Sequence, residues 1–315
     1  MNTLYFWVER YLFSPTPFQK FISLLLLPLT AFYCFITFLK KSISTPKDFG
    51  IPVVSVGNLI VGGSGKTPIT IELAKRYDDV CIVLRGYKRK SKGLVIVSQK
   101  GDIKCDIHSS GDEAMLLARS LPKATVIVSE DRKEAIKKAK DLGCKVVFLD
   151  DGFSKFDIKK FDLLIKPDIK LLPFCLPSGA YRFSPSNYKR VDMVLKENKD
   201  FKRKVSIKNK TNNMILLTAI SKPQRLEKFL PYEMKKIYLP DHSDFSKEFI
   251  EDIIKRYDPS SILTTSKDAV KLKSYNLNLS ILELSMKIDE NKVDLIDKYI
   301  RNYYAKKDRD SKYPS

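Results

Sequence analysis

The stretch VVSVGNLIVGGSGKTPIT, residues 53–70, decides the fold. An apolar run ends at Gly57, a glycine-rich turn follows, and Lys66–Thr67 lead straight into a helical pattern. Strand, glycine turn and helix in that order describe a phosphate loop. Glycines let backbone N–H groups close on phosphate oxygens, and the helix N-terminus adds positive potential. Pro68 suits a first helical turn, where its missing N–H would go unpaired in any case. In such a loop Lys66 reaches the β- and γ-phosphates and the Thr67 hydroxyl ligates Mg²⁺. The pattern G-x-x-x-x-G-K-[ST] departs at its first position, where Ile60 replaces glycine. Gly57 lies three residues earlier and Gly62–Gly63 follow, so the loop is expected to bend differently. The bland alternative is a glycine turn carrying a surface lysine; the strand before, the helix after and the intact GKT argue against it.

Downstream, short apolar runs alternate with amphipathic stretches. Strands are predicted at 80–84, 94–98, 125–129 and 145–149, with helices opening at Pro68, Asp112 and Asp131, and further strands at 162–166 and 191–195. Alternation of this kind predicts a mostly parallel sheet covered by helices, an α/β core over residues 46–200. Residues 196–213 are polar and charged and read as a connector or exposed hairpin. Beyond them, apolar runs at 214–220, 235–239, 261–265 and 279–286 alternate with helical patterns, predicting a smaller C-terminal α/β domain over 201–315. The sequence shows no internal repeat.

Several acids and bases stand where chemistry would use them. Asp150 and Asp151 follow the apolar run KVVFL, and adjacent acids at a strand end are costly unless a cation neutralises them. The alternative is a turn, since Asp-Gly is a turn dipeptide. Asp112 and Glu113 open a helical pattern, where early acids complement the helix dipole; capping and function remain equally open. The chain has two histidines, His108 and His242. His242, in LPDHSDF, ends an apparent strand and titrates in the range that proton handling near neutral pH needs, although a loop histidine is otherwise a surface feature. The basic run RGYKRK, residues 85–90, is either solvated or a partner for phosphate or carboxylate.

The 57 Lys and Arg against 37 Asp and Glu leave a formal charge of +20, which calls for an anionic partner: nucleic acid, an acidic membrane surface or a phosphate-rich ligand. Five scattered cysteines without a CxxC pair support neither a disulfide framework nor a thiolate zinc site. Residues 21–39, FISLLLLPLTAFYCFITFL, form an uncharged run between Lys20 and Lys40–Lys41. As one helix it would reach about 28 Å, close to the hydrocarbon thickness of a bilayer. A membrane helix, spanning or embedded in one leaflet and kinked at Pro28, is therefore expected within an N-terminal segment 1–45. Tyr5, Phe6, Trp7, Tyr11 and Phe13 supply interfacial aromatics, and the lysine-rich downstream side places the bulk of the chain in the cytoplasm. Those lysines would also attract anionic lipid.

Taken together, the segments resemble the tetraacyldisaccharide 4′-kinases of lipid A biosynthesis. VGNLIVGGSGKTP, RGY, GDEA, DDGF, LPSGAYR, PDHSDF and TTSKDAVKL occur in that order, from about Gly57 to Leu272. The resemblance implies a P-loop NTPase-like core and Mg²⁺-dependent transfer of the γ-phosphate of ATP to the 4′-hydroxyl of an acylated glucosamine disaccharide 1-phosphate, forming lipid IVA. It implies work at the cytoplasmic face of the inner membrane, against an anionic membrane surface. It further implies that Ile60, Val61, Gly62, Gly63, Ser64, Gly65, Lys66 and Thr67 hold the ATP phosphates. Thr67, Glu113 and one or both of Asp150 and Asp151 would serve the metal, and Asp112 with His242 would remove the hydroxyl proton. Arg182, with Arg85 and Tyr87, would meet the lipid headgroup. Two departures touch the sugar side: Ser154 and Lys155 stand where the family often has Gln-His, and Phe183 where it often has Glu. The rival functions are a membrane-associated nucleoside triphosphatase acting as a switch and a basic nucleic-acid-binding protein. No nucleic-acid partner is expected, because aromatics are not interleaved with the basic runs.

Overall fold

The computed structural model describes residues 3–312 except Gly63, 221–222, 241–242 and 273–274. The chain opens with helices α1 (Thr3–Phe13), α2 (Pro17–Leu25) and α3 (Leu27–Ser42). Strand β1 (Val53–Asn58) leads into α4 (Lys66–Ala74), and β2 (Val80–Leu84), β3 (Val95–Gln99) and β4 (Asp102–Ile103) follow. Next come α5 (Ile107–Ser110), α6 (Asp112–Ser120), β5 (Thr125–Val128), α7 (Arg132–Asp141), β6 (Val146–Asp150), β7 (Phe161–Lys166) and β8 (Met193–Lys196). The remainder comprises β9 (Phe201–Lys208), β10 (Met214–Thr218), β11 (Lys236–Tyr238), α8 (Lys247–Tyr257), β12 (Ser261–Thr265), α9 (Ser266–Leu272), β13 (Leu279–Ile288) and α10 (Glu290–Lys312).

These elements form two compact units, each assembled from separated stretches. The first takes residues up to Thr70, then Val146–Lys202, then Ile288 onward; the second takes Ile71–Lys145 and Arg203–Lys287. The linear division at 45 and 200 is thus replaced by an interleaved one. The reason is visible at the C-terminus, where α10 joins the first unit instead of the C-terminal domain. Tyr299 donates to the Val53 carbonyl at 3.3 Å, its ring lies 5.2 Å from Phe161, and Lys307 donates to the Gly50 carbonyl at 3.1 Å.

In the first unit four strands run parallel in the order β6-β1-β7-β8, with Val54 opposite both Phe148 and Phe161. Every residue of β1 and β6 is buried, the signature of strands covered on both faces. In the second unit β2 and β5 are parallel, while β3 runs antiparallel to β5 and β4 antiparallel to β3. That unit also holds a five-stranded sheet of order β11-β10-β12-β13-β9. Its edge strand β9 occupies the stretch expected to be a connector or hairpin. Its charged residues alternate with Val205 and Ile207, which pack against Met214, Leu216, Leu263 and Leu282, so alternation had concealed a half-buried strand.

The single N-terminal helix expected over 21–39 is two helices. α2 ends at Leu25, and Pro28 sits in the first turn of α3, where it cannot donate back to Leu24 and so breaks the ladder. Among the described residues no single helix is long and apolar enough to cross a membrane; α2 and α3 pass that test only as a pair bent by 58°. Their polarity is inverted. The buried residues are the polar Gln19, Ser23 and Thr30, whereas Phe18, Phe21, Leu25, Leu29, Phe32, Phe35 and Phe38 are exposed. Ser23 donates to the Ser178 carbonyl and Thr30 to the Ser178 hydroxyl, both at 2.7 Å. Tyr11, expected as an interfacial aromatic, is instead buried, stacked on Trp7 and donating to the Pro177 carbonyl at 2.9 Å.

These buried hydroxyl bonds carry a stability prediction. Thr30→Val keeps the side-chain shape but leaves the Ser178 N–H and hydroxyl without their Thr30 partner, and is expected to cost about 1–2 kcal/mol. The shift of the urea midpoint against wild type measures it.

Candidate active site

In the first unit the site is built at the ends of parallel strands. β1 delivers Asn58 and the loop 59–65, and β6 delivers Asp150 to the turn that continues Asp151–Gly152–Phe153. Asp150 is buried, its Oδ2 accepting from the Thr67 hydroxyl at 3.0 Å and its Oδ1 from the Thr70 hydroxyl at 3.3 Å. Thr67 and Thr70 lie three apart on α4 and so share a face. The strand-end carboxylate therefore clamps the first turn of the helix that the loop enters.

Asp151 adopts a left-handed backbone (φ 55°) and its N–H donates to the Val56 carbonyl at 2.9 Å, aiming the side chain away from the sheet. It meets two cations: the Arg182 guanidinium, at 3.1 and 3.4 Å to its two oxygens, and the Lys66 ammonium at 3.7 Å. Arg182 also donates to Asn58 Oδ1 at 2.6 Å. Lys66, Thr67, Asp150 and Asp151 are thus brought together, and Arg182, expected at the headgroup, stands with them.

The irregular start of the loop has a structural cause. Ile60 is buried and pairs antiparallel with Tyr181; the Val61 N–H donates to the Ala180 carbonyl at 2.9 Å and the Arg182 N–H to the Leu59 carbonyl at 2.7 Å. The backbone at Ile60 is a short strand, so no glycine is needed there. The bends fall at Gly62 (φ 83°) and Gly65 (φ 86°), conformations that glycine reaches without strain. Gly63 lies outside the described residues. Burial pushes the Tyr181 hydroxyl above its ordinary range, so it remains a neutral phenol beside the loop. Phe183, the departure from the acidic family residue, packs edge-on against Phe153 at 5.2 Å and Phe156 at 5.9 Å; an aromatic trio occupies that position.

In the second unit Asp112 opens α6 beside a cleft of ≈ 620 Å³, lined by Tyr87, Lys88, Lys90 and His108 among others. Asp112 Oδ2 accepts from the Lys271 ammonium at 2.9 Å. Tyr87 is exposed at the cleft rim, Arg85 is exposed just past β2, and Glu113 is half-buried in the first turn of α6. His242 lies outside the described residues. Among the described residues no group of three His, Cys, Asp or Glu side chains forms a ready metal cage. What the first unit offers a cation instead is a pair of hard oxygens, Thr67 Oγ1 and Asp150 Oδ2.

Three contributors escaped the sequence reading: Asn58, Thr70 and Lys271. Thr70 was detectable, since its spacing from Thr67 puts both hydroxyls on one helical face. Lys271 was not, because its partner lies 159 positions earlier in the chain.

Gly57 generates a prediction. A Cβ there would stand 2.8 Å from Phe153 Cβ, an atom that moves only with its backbone. Gly57→Ala is therefore expected to destabilise by about 1–3 kcal/mol in thermal unfolding, by pushing the 150–153 turn away from β1.

The chain is similar to known proteins over most of its length. A family model described as tetraacyldisaccharide-1-P 4′-kinase matches residues 22–214 and 202–301. A tetraacyldisaccharide 4′-kinase of Aliarcobacter butzleri is 57% identical over 310 residues, covering 95% of this chain and 98% of the relative. One of Helicobacter pylori (strain ATCC 700392 / 26695) is 48% identical over 305 residues, covering 96% and 97%. A crystal structure of LpxK from Aquifex aeolicus in complex with ATP matches with a TM-score of 0.74 at 30% identity, covering 89% of this chain and 99% of that one.

Proposed function

The chain belongs to the tetraacyldisaccharide-1-P 4′-kinase family, and from that premise we infer that it transfers the γ-phosphate of ATP to the 4′-hydroxyl of a tetraacyldisaccharide 1-phosphate lipid. The observation that carries this is the strand-end arrangement in which Lys66, Thr67, Asp150, Asp151 and Arg182 converge on the mouth of a glycine loop.

Phosphoryl transfer asks a protein mainly for positioning and charge neutralisation. Within residues 60–67 the Val61 N–H is spent on Ala180; the N–H groups that follow it and the N-terminus of α4 are offered to the phosphates, with Lys66 set to reach the terminal ones. Thr67 Oγ1 and Asp150 suit Mg²⁺, a small hard cation that keeps most of its shell as water and phosphate oxygens; bound there, it would neutralise charge on the transferring group. Asp151 and Arg182 form a second charged pair beside Lys66, where the guanidinium is placed to meet an anionic headgroup. Asp112, with His242, would accept the proton of the attacking hydroxyl, and Glu113 beside Asp112 carries a hard oxygen of the kind Mg²⁺ takes. The exposed Tyr87 and the nearby Arg85 serve the acceptor sugar.

The substrate is a lipid, and the N-terminal helices fit that. An outward phenylalanine and leucine face with a polar underside is stable only against an apolar environment, so α2 and α3 lie in one leaflet at the cytoplasmic face of the inner membrane. The charge of +20 then faces anionic headgroups.

Incubating purified protein with γ-labelled ATP, Mg²⁺ and the disaccharide 1-phosphate lipid is expected to place label on the sugar; phosphate release without lipid labelling would point to a nucleoside triphosphatase instead. Lys66→Ala and Asp112→Ala are each expected to lower turnover by about 10²-fold or more with the fold retained, and a chelator is expected to abolish transfer, restored by added Mg²⁺. Near-normal turnover of Asp112→Ala would remove the base from its role. Flotation with anionic vesicles is expected to carry the wild type, and Phe32→Glu with Phe35→Glu together are expected to release it; retained flotation of that variant would refute insertion of this face.

A further inference from the structure

We propose that Lys271 positions the proton-accepting carboxylate: its ammonium holds Asp112 and ties it to the Ser243 carbonyl and the Asp244 side chain. The proposal rests on the function inferred above. The Lys271 side chain is 9% exposed, so its charge lies in a poorly hydrated place and needs partners there. Its Nζ lies 2.9 Å from Asp112 Oδ2, 3.0 Å from the carbonyl oxygen of Ser243 and 3.8 Å from Asp244 Oδ1. Ser243 immediately follows His242 in the chain. One ammonium thus bridges the acid and the loop that carries its histidine. The Lys271 ammonium at Oδ2 therefore restricts where the Asp112 carboxylate stands.

The lysine is itself held firmly. It sits near the end of α9, a helix whose first turn is anchored by the buried Asp268. That carboxylate accepts from Thr218 at 2.6 Å, from Thr265 at 2.8 Å and from the Ala219 N–H at 3.1 Å. α9 packs on α6, and Arg119 of α6 donates to the Val270 carbonyl at 3.3 Å, one residue before Lys271. The loop on the other side is fixed as well: Ser243 donates to the Pro240 carbonyl at 2.7 Å, and the Tyr275 hydroxyl donates to the Phe245 carbonyl. α9, α6 and residues Ser243 and Asp244 therefore converge on Lys271. A positioning group in such a place acts through the residue it orients, and small displacements of a catalytic group are costly.

The test is a double-mutant cycle in the lipid-labelling assay, using wild type, Lys271→Met, Asp112→Ala and the double variant. Lys271→Met is expected to lower kcat on the order of 10²-fold with the KM for ATP unchanged. In the Asp112→Ala background the same substitution is expected to cost nothing further, because the group it acts through is already gone. Lys271→Arg, which retains the charge, is expected to recover part of the rate. Wild-type kcat in Lys271→Met, or a loss that multiplies in the double variant, would overturn the proposal. Circular dichroism and thermal unfolding check that the variants fold. If Lys271→Met does not, Lys271→Gln takes its place in the same cycle with the same expected and overturning outcomes. An inactive wild type would sink the inferred function itself, whereas an active wild type matched by Lys271→Met sinks only the role of Lys271.

Discussion

Residues 174–182 join the entry of the phosphate loop, the Asp151 turn and the N-terminal helices, and that backbone is the constraint on which the rest depends. Its carbonyls and N–H groups pair with Leu59, Ile60 and Val61, so the entry of the phosphate loop is one edge of a two-stranded contact. The Ser178 hydroxyl and carbonyl accept from Thr30 and Ser23, and Pro177 accepts from Tyr11, which docks the N-terminal helices on the same segment. Arg182 ends it by reaching Asn58 and Asp151, while its own carbonyl accepts from Tyr33 at 2.9 Å. Buried backbone groups must be paired, and here the pairing itself joins loop, acid turn and helices into one body. A Cβ at Gly179 would stand 2.5 Å from the Phe174 carbonyl oxygen, so the turn that allows this geometry needs glycine.

The N-terminal helices show what a polarity pattern means once its direction is known. Three hydroxyl or amide residues in a long apolar run look too few to make a polar face. They suffice because they are the buried face: Gln19, Ser23 and Thr30 lie on the side that meets protein hydrogen-bond acceptors and donors. Gln19 also completes a capping box with Thr16, which fixes where α2 begins, and Pro28 fixes where it cannot continue. The result is a bent pair with aromatics outward, a shape suited to lying along an interface more than to crossing it.

What was legible in the chain followed from how far apart the interacting residues are. The glycine loop, its lysine and threonine, and the acid pair after β6 could be read because each belongs to a contiguous strand–turn–helix pattern whose chemistry is local. The parallel core could be read because its strands are continuous apolar runs. β9 was hidden because Lys202, Lys204 and Lys208 stand on its exposed face and Arg203 on the other, which leaves the stretch polar overall. α9 was hidden because it has seven residues and is fixed by tertiary hydrogen bonds to Asp268, with too few turns to show a period. The placement of α10 in the first unit depends on Tyr299 and Lys307 meeting backbone carbonyls near residue 50, which no local pattern encodes.

The departures from the expected motif are informative in the same physical terms. A glycine at the head of a phosphate loop is needed only where the backbone turns; at position 60 it runs extended against Tyr181, and a buried isoleucine adds apolar contact that glycine could not. At position 183 an acid is replaced by a ring that interlocks with Phe153 and Phe156, with the Lys41 ammonium 5.6 Å from the Phe156 ring centre. Phe153 of that cluster belongs to the turn that bears Asp151, so the substitution places a packed ring, in place of an acid, next to Arg182 in the chain. In this chain Arg182 meets Asp151 and Asn58, and its orientation is set by those two side chains and by the backbone zipper through its N–H and carbonyl. Motif positions are therefore better judged by the backbone conformation and contacts each one must satisfy than by residue identity: Ile60 meets the loop's requirement, and Phe183 joins an aromatic cluster that an acid could not.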